Sequence, residues 1–233
     1  MKSEKELAAQ AAEGQREAFA YLYDRHIADV YDYARRIVHN PEVGVEVTRV
    51  AFERVMMELV RRGPPDRFKP WLYSIVHRTA MDYWRTTRKT VEALEDEPHD
   101  DSDDNQTSYL TVDTGRLSNP ALVAHDNEIV EMVWQVAASL DRKEYALLDL
   151  HLRKGMGPED IGLALGMRKS AVDAALSRAL EALEGSVTAL LLMRRGRADC
   201  AELDALVLQA PYQVMTKALA RDIQCHARDC QVA

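Results

Sequence analysis

Three patterns of side chains in this 233-residue chain could do chemistry. The first is the stretch 67–89, RFKPWLYSIVHRTAMDYWRTTRK, which interleaves Trp71, Tyr73, Tyr83 and Trp84 with Arg78, Arg85, Arg88 and Lys89. Cations neutralise phosphates and flat rings stack on unpaired bases, so this mixture suits a single nucleic-acid strand. It is equally the composition of a core helix with a solvated basic end. The second pattern is GMGPEDIGLALGMRKSAVDAALSRALEAL, residues 155–183. Arg168, Lys169, Ser170, Ser177 and Arg178 offer it cations and hydroxyls for phosphates and base edges. The third is Cys200, Cys225 and Cys230, all three cysteines of the chain gathered in its last 34 residues. Such clustering favours metal or redox chemistry over structural disulfides in a reducing compartment, with free thiols as the plain alternative.

The elements that must position these groups read as helices. In 155–183, Pro158 stands at a favoured first helical position, with Glu159 and Asp160 beside the positive end of the helix dipole. Gly166 takes the left-handed conformation that stops that helix. A second helix starts near Ser170, and Ile161, Leu165, Val172 and Leu176 can close a small core between the two. Two short helices joined by a tight Gly-containing turn form a helix-turn-helix, whose second helix enters the major groove. Two helices of an ordinary bundle would show the same spacing.

Upstream, residues 4–39 carry an apolar stripe at spacings of three and four, broken near Gly14 and ended at Asn40-Pro41. A helix over 43–60 turns Val47, Val50, Phe52, Val55, Met56 and Leu59 inward, and Gly63-Pro64-Pro65 separates it from 67–89. Residues 90–120 are acidic, polar and without periodicity, which reads as a flexible linker. Amphipathic helices follow over 121–140 and Arg142–Lys154, the latter capped by Asp141. The helix begun near Ser170 extends toward Gly196, and 201–209 and 212–229 form two short helices. The expected fold is all-α. It has a helical domain over 1–89, a linker over 90–120, a helix-turn-helix domain over 121–186, and a helical C-terminal extension over 187–233.

The net charge of −8 argues against a nucleic-acid binder until its distribution is considered. Residues 1–90 carry +3, residues 91–125 carry −8, residues 126–186 carry −4 and residues 187–233 carry +1. The acidity is thus concentrated in the linker. No run approaches the roughly 18 apolar residues that span a bilayer. The start, MKSEKELAAQ, lacks the apolar core of a signal peptide. The expectation is a cytoplasmic protein with no membrane contact. The chain lacks the phosphate-loop, nucleophile-elbow and zinc-protease motifs. His77 and His151 read as packing or surface residues, and no enzymatic activity is expected.

Two helical modules, one basic-aromatic and one helix-turn-helix, joined by a linker, resemble an extracytoplasmic-function sigma factor of bacterial RNA polymerase. AFAYLYDRHIADVYDYARRIV is similar to the opening helix of that family's first domain. Phe68, Trp71, Leu72, Ile75, Asp82 and Arg85 match its promoter-melting helix. Leu140, Gly155, Ile161, Leu165, Gly166, Val172, Leu176, Ser177, Arg178, Ala179 and Leu183 match its second domain. The resemblance covers residues 16–186 and implies core RNA polymerase and promoter DNA as partners. It places the polymerase contact on the 43–60 helix, at Glu46, Arg49, Phe52 and Glu53.

The departures from the family pattern fall on polar positions. Arg49 replaces a Gln, Val50 an acid, and Arg78 the promoter-reading Asn; Asp173 and Ala175 stand where basic residues are common. A DNA-binding helix-turn-helix regulator that does not recruit polymerase therefore stands as the alternative. The tail, with Cys200 and then His226-x-x-x-Cys230, is similar to part of the zinc-binding anti-sigma domain, without its final cysteine. That likeness implies Cys200, His226 and Cys230 as zinc ligands. It also implies regulation by an anti-sigma partner or by the chain's own C-terminal extension.

Overall fold

The computed structural model describes residues 2–92, 133–134, 136–137, 140–209 and 216–230, with side chains omitted for 87–92 and 217. Every regular element among them is helical. The acidic stretch 93–120, most of the helix expected over 121–140, and the side chains of Arg88 and Lys89 lie outside the described residues. None of the described helices is long and apolar enough to cross a membrane.

Local chemistry sets the helix ends. Helix α1 (Glu4–Ala12) opens with a capping box, in which Glu6 N–H donates to Ser3 Oγ and Ser3 N–H donates to the Glu6 carboxylate. Helix α2 (Arg16–Val38) ends at His39, which adopts a left-handed conformation with φ of 54°. Helix α3 (Pro41–Arg62) starts with Asn40 Oδ1 accepting from Val43 N–H and Pro41 at the first position. It stops at Gly63, φ 83°, and α4 (Phe68–Glu92) follows.

Helix α5 (Arg142–Leu148) is capped by Asp141, whose carboxylate accepts from Glu144 N–H at 2.8 Å. It does not run on to Lys154 as one regular helix. A π-helical turn occupies Asp149–Arg153 and shifts the register of the chain. Helix α6 (Pro158–Leu165) ends at Gly166, φ 67°. Helix α7 (Lys169–Arg195) extends to the residue before Gly196, and α8 (Ala201–Gln209) and α9 (Lys217–Asp229) complete the chain.

The chain divides into two compact units. The first comprises Met1–Ser102 and Asp149–Asp173, the second Asp103–Leu148 and Ala174–Ala233. By its contacts, the segment carrying the π turn and α6 groups with α1–α4.

In the first unit, Leu22, Val30, Tyr33 and Ile37 of α2 meet Val47, Phe52, Val55 and Leu59 of α3 and Leu72, Tyr73 and Val76 of α4, all buried. Helices α2 and α3 approach so closely at Gly44 that a Cβ there would stand 2.6 Å from Arg35 Cβ. Met56, expected inward, is 47% exposed because the apolar stripe of α3 is wider than the surface it has to pack against. Helix α6 packs on α4. Arg67 Nη1 meets Asp160 Oδ1 at 2.6 Å, Arg153 Nη1 meets Asp32 Oδ2 at 2.6 Å, and Lys154 Nζ meets Asp29 Oδ1 at 2.7 Å.

The second unit buries Trp134, Val136, Leu140, Tyr145 and Leu147. In its C-terminal part, Ala189 of α7, Leu203 and Val207 of α8, and Leu219, Ala220 and Ile223 of α9 form a core. Leu203, Val207, Leu219, Ala220 and Ile223 of the extension are thus buried against the long helix that precedes them, while Leu208 is 57% exposed.

Candidate polymerase and nucleic-acid surfaces, and a thiol–imidazole cluster

On α3, Arg49 lies between two acids one turn away on either side. It pairs with Glu46 at 2.6 Å and with Glu53. Spacings of three and four put all three groups on one exposed strip. The guanidinium hydrogen-bonded to Glu46 holds that carboxyl below the usual carboxylate range. Phe52 is only 4% exposed. It is packed against Tyr23, ring centroids 4.7 Å apart. Both line a groove of about 600 Å³ between α2 and α3, with Phe19, Ile27, Val45 and Met56. Sequence reasoning assigned Tyr23 and Ile27 to the core stripe and missed this groove. The signal was present in the stripe's width, which exceeds what one neighbouring helix covers.

On α4, Arg78, Tyr83 and Arg85 are exposed and Trp84 is half-buried. Trp71 is half-buried, whereas Leu72 and Ile75 are core as expected. Tyr73 is wholly buried against Tyr33 in an edge-on contact of 5.3 Å, which removes it from the candidate stacking rings. Tyr33 Oη and His77 Nδ1 share a 2.8 Å hydrogen bond, and burial pushes the imidazole down to about 4, so His77 is neutral at ordinary pH. Arg54 of α3 donates to Thr79 Oγ1 at 3.0 Å and stands 3.5 Å from Asp82, which fixes α4 against α3. Tyr83 and Arg85 therefore stand exposed on an anchored helix.

In the helix-turn-helix segment, Arg168, Lys169 and Ser170 are exposed at the turn and the start of α7, and Ser177 and Arg178 are exposed farther along it. Lys169 Nζ is 3.4 Å from Glu159. The turn is tight. Met167 N–H donates to Gly162 O at 2.9 Å, and a Cβ on Gly162 would stand 2.7 Å from Met167 O.

Cys200, His226 and Cys230 come together in the second unit. Cys200 Sγ is 3.2 Å from His226 Nε2 and 3.8 Å from Cys230 Sγ, and the three ligand atoms lie within 4.8 Å of one another. Cys225, on the same helix as His226, is exposed and apart.

Residues 22–90, spanning α2 to α4, match the family Sigma-70 region 2. A comparison with curated proteins returned no match. Among solved structures, the fold is similar to that of CnrH in its complex with the cytosolic domain of CnrY. The TM-score is 0.53 at 22% identity, over 82% of this chain and 97% of that one. The all-α fold is thus shared with a solved protein, and the basic-aromatic helix and the Arg49 strip both lie within the region that matches Sigma-70 region 2.

Proposed function

We propose that this chain is a sigma factor of the extracytoplasmic-function type, which binds core RNA polymerase and directs it to promoters. The observation that carries the reading is the Sigma-70 region 2 match over α2–α4, where the exposed basic and aromatic side chains of α4 also lie. In this reading, Glu46, Arg49 and Glu53 and the groove beside them contact polymerase, with Phe52 as the groove's buried floor. Arg78, Tyr83, Trp84, Arg85, Arg88 and Lys89 engage the melted strand, and Arg168, Lys169, Ser170, Ser177 and Arg178 engage the upstream duplex. An anti-sigma partner, or the C-terminal extension itself, regulates access to these surfaces.

The test is transcription in vitro with purified core polymerase over a pool of genomic fragments. Discrete, chain-dependent transcripts are expected, as is co-elution with core enzyme. Charge reversal in Glu46→Arg is expected to weaken core binding with the fold intact, since Glu46 is exposed enough to change without repacking. Failure of the wild-type chain to bind core polymerase would overturn the reading.

One observation favours the alternative of a DNA-binding regulator that does not recruit polymerase. Arg49 ties up both acids of the α3 strip, leaving less free negative charge for a basic partner. Salt-dependent duplex binding without polymerase association is the result that alternative requires.

A further inference from the structure

The thiol–imidazole cluster lies far along the chain from the matched region, and no role in promoter recognition uses it. Its geometry can be compared with that of a tetrahedral zinc ion. With Zn–S of about 2.3 Å and Zn–N of about 2.0 Å, the sulfur–sulfur edge of the tetrahedron is about 3.8 Å and the sulfur–nitrogen edge about 3.5 Å. Cys200 Sγ and Cys230 Sγ stand 3.8 Å apart, and Cys200 Sγ and His226 Nε2 stand 3.2 Å apart. One edge agrees with the ideal and the other is short of it by about 0.3 Å.

The surroundings orient each ligand. Cys200 precedes α8 and occupies its cap position: its carbonyl accepts from Asp204 N–H at 3.0 Å, and Leu203 N–H points at its sulfur at 3.5 Å. Cys230 closes α9, with its own N–H donating to His226 O at 3.0 Å. His226 presents Nε2 to the sulfurs and Nδ1 toward the Glu202 carboxylate, 3.7 Å away. A carboxylate behind the outer nitrogen favours the proton there and leaves the inner lone pair for a metal. The cluster borders a cavity of about 380 Å³, lined also by Leu191, Leu192, Arg195 and Asp199.

We infer that Cys200, His226 and Cys230 bind one zinc ion through two thiolates and an imidazole, with the fourth position open to the cavity and taken by solvent. Thiolate and imidazole donors in a tetrahedral set select zinc over the harder divalent cations. The ion ties the start of α8 to the end of α9. Among the described residues, the core it closes is built on Ala189, Leu203, Val207, Leu219, Ala220 and Ile223. A metal clip across two short helices adds binding free energy to the folded form. The open fourth position makes the site exchangeable, unlike a closed four-ligand structural site.

The experiment uses the full chain, purified with thiols reduced, stripped with a chelator and reloaded with zinc chloride or cobalt(II) alone. One zinc per chain is expected. The cobalt form is expected to show a thiolate charge-transfer band and the intense visible bands of tetrahedral coordination. Cys200→Ala, His226→Ala and Cys230→Ala should each lose stoichiometric metal, and Cys225→Ala should keep it. Helical content measured on every variant separates loss of ligation from loss of fold, and Glu202→Gln, which removes no ligand, should retain the metal with weaker affinity. Zinc loading should also slow proteolysis within 197–230. A folded wild-type chain that takes up no metal overturns the inference. So does equal metal content in Cys200→Ala and Cys225→Ala, or a cobalt spectrum without thiolate bands.

Discussion

Lys154 is the group in the first unit whose environment makes the most asymmetric prediction. Its side chain is 5% exposed, and its ammonium lies 2.7 Å from Asp29, which is itself 56% exposed. Removing Asp29 leaves a buried cation whose remaining counter-charge is the Asp149 carboxylate, and removing Lys154 leaves an Asp29 carboxylate that water can reach. Breaking a wholly buried pair costs about 3–5 kcal/mol and an exposed one under about 1 kcal/mol. This half-buried pair falls between, so Asp29→Asn should cost about 1–3 kcal/mol. Lys154→Met should cost less than about 1 kcal/mol, and the double variant about the same as Lys154→Met alone. The pair holds the segment Asp149–Asp173 to α2, so the loss should appear there and not globally. Native-state hydrogen exchange reads this directly, and amides of that segment should exchange about 5- to 150-fold faster in Asp29→Asn. Lys69 Nζ, donating to Lys154 O at 2.6 Å, gives the segment a second anchor that both variants retain. Equal costs for the two single variants, or unchanged exchange in 149–173, would refute the reasoning.

Gly44→Ala would force a Cβ to within 2.7 Å of the Arg35 backbone, so urea unfolding should show a loss of about 1–3 kcal/mol. Asp149 is fully buried, neither carboxylate oxygen accepts a hydrogen bond, and burial pushes its carboxyl up to about 6. Because the folded value exceeds the unfolded one, the contribution to stability is present below about pH 4 and is lost as pH rises through about 6. Asp149→Asn should therefore unfold at higher urea than wild type at pH 8, with the gain gone at pH 4. If duplex phosphates meet the turn before α7, Lys169→Ala should lower the salt slope of DNA binding by about one; an unchanged slope removes Lys169 from the interface. Deleting residues 197–233 uncovers Ala189, Leu192 and Met193, so the melting temperature should fall. A simultaneous rise in promoter-directed transcription would mark the extension as inhibitory, and a fall in both would leave it purely structural.

What was legible in the sequence was whatever is decided within about one helical turn. Ser3 with Glu6, Asn40-Pro41, Gly63, Pro158 and Gly166 each set a helix end through neighbours in the chain, and each end stands where its residues put it. The Arg49 strip belongs to the same class. Its partners are three and four residues away, so the pairing with Glu46 and Glu53 was there to be read once the substitution for Gln was noticed. The grouping of Asp149–Asp173 with α1–α4 is of another kind. It rests on the packing of α6 against α4 and on Arg153 with Asp32 and Lys154 with Asp29, pairs more than 120 residues apart in sequence. No periodicity encodes such a pair. Arg153 and Lys154 read as the ordinary basic end of a helix, which is what the dipole favours. The π turn that redirects them has no signature in residue type.

The thiol–imidazole cluster falls between these cases. The spacing of His226 and Cys230 puts both on one face of α9, but Cys200 joins them only because α8 and α9 fold back on the same stretch of α7. Those three helices share the core of Ala189, Leu203, Val207, Leu219, Ala220 and Ile223. The likeness to the anti-sigma domain nominated the three residues. Apolar packing of residues distant in sequence brings their ligand atoms within 4.8 Å of one another.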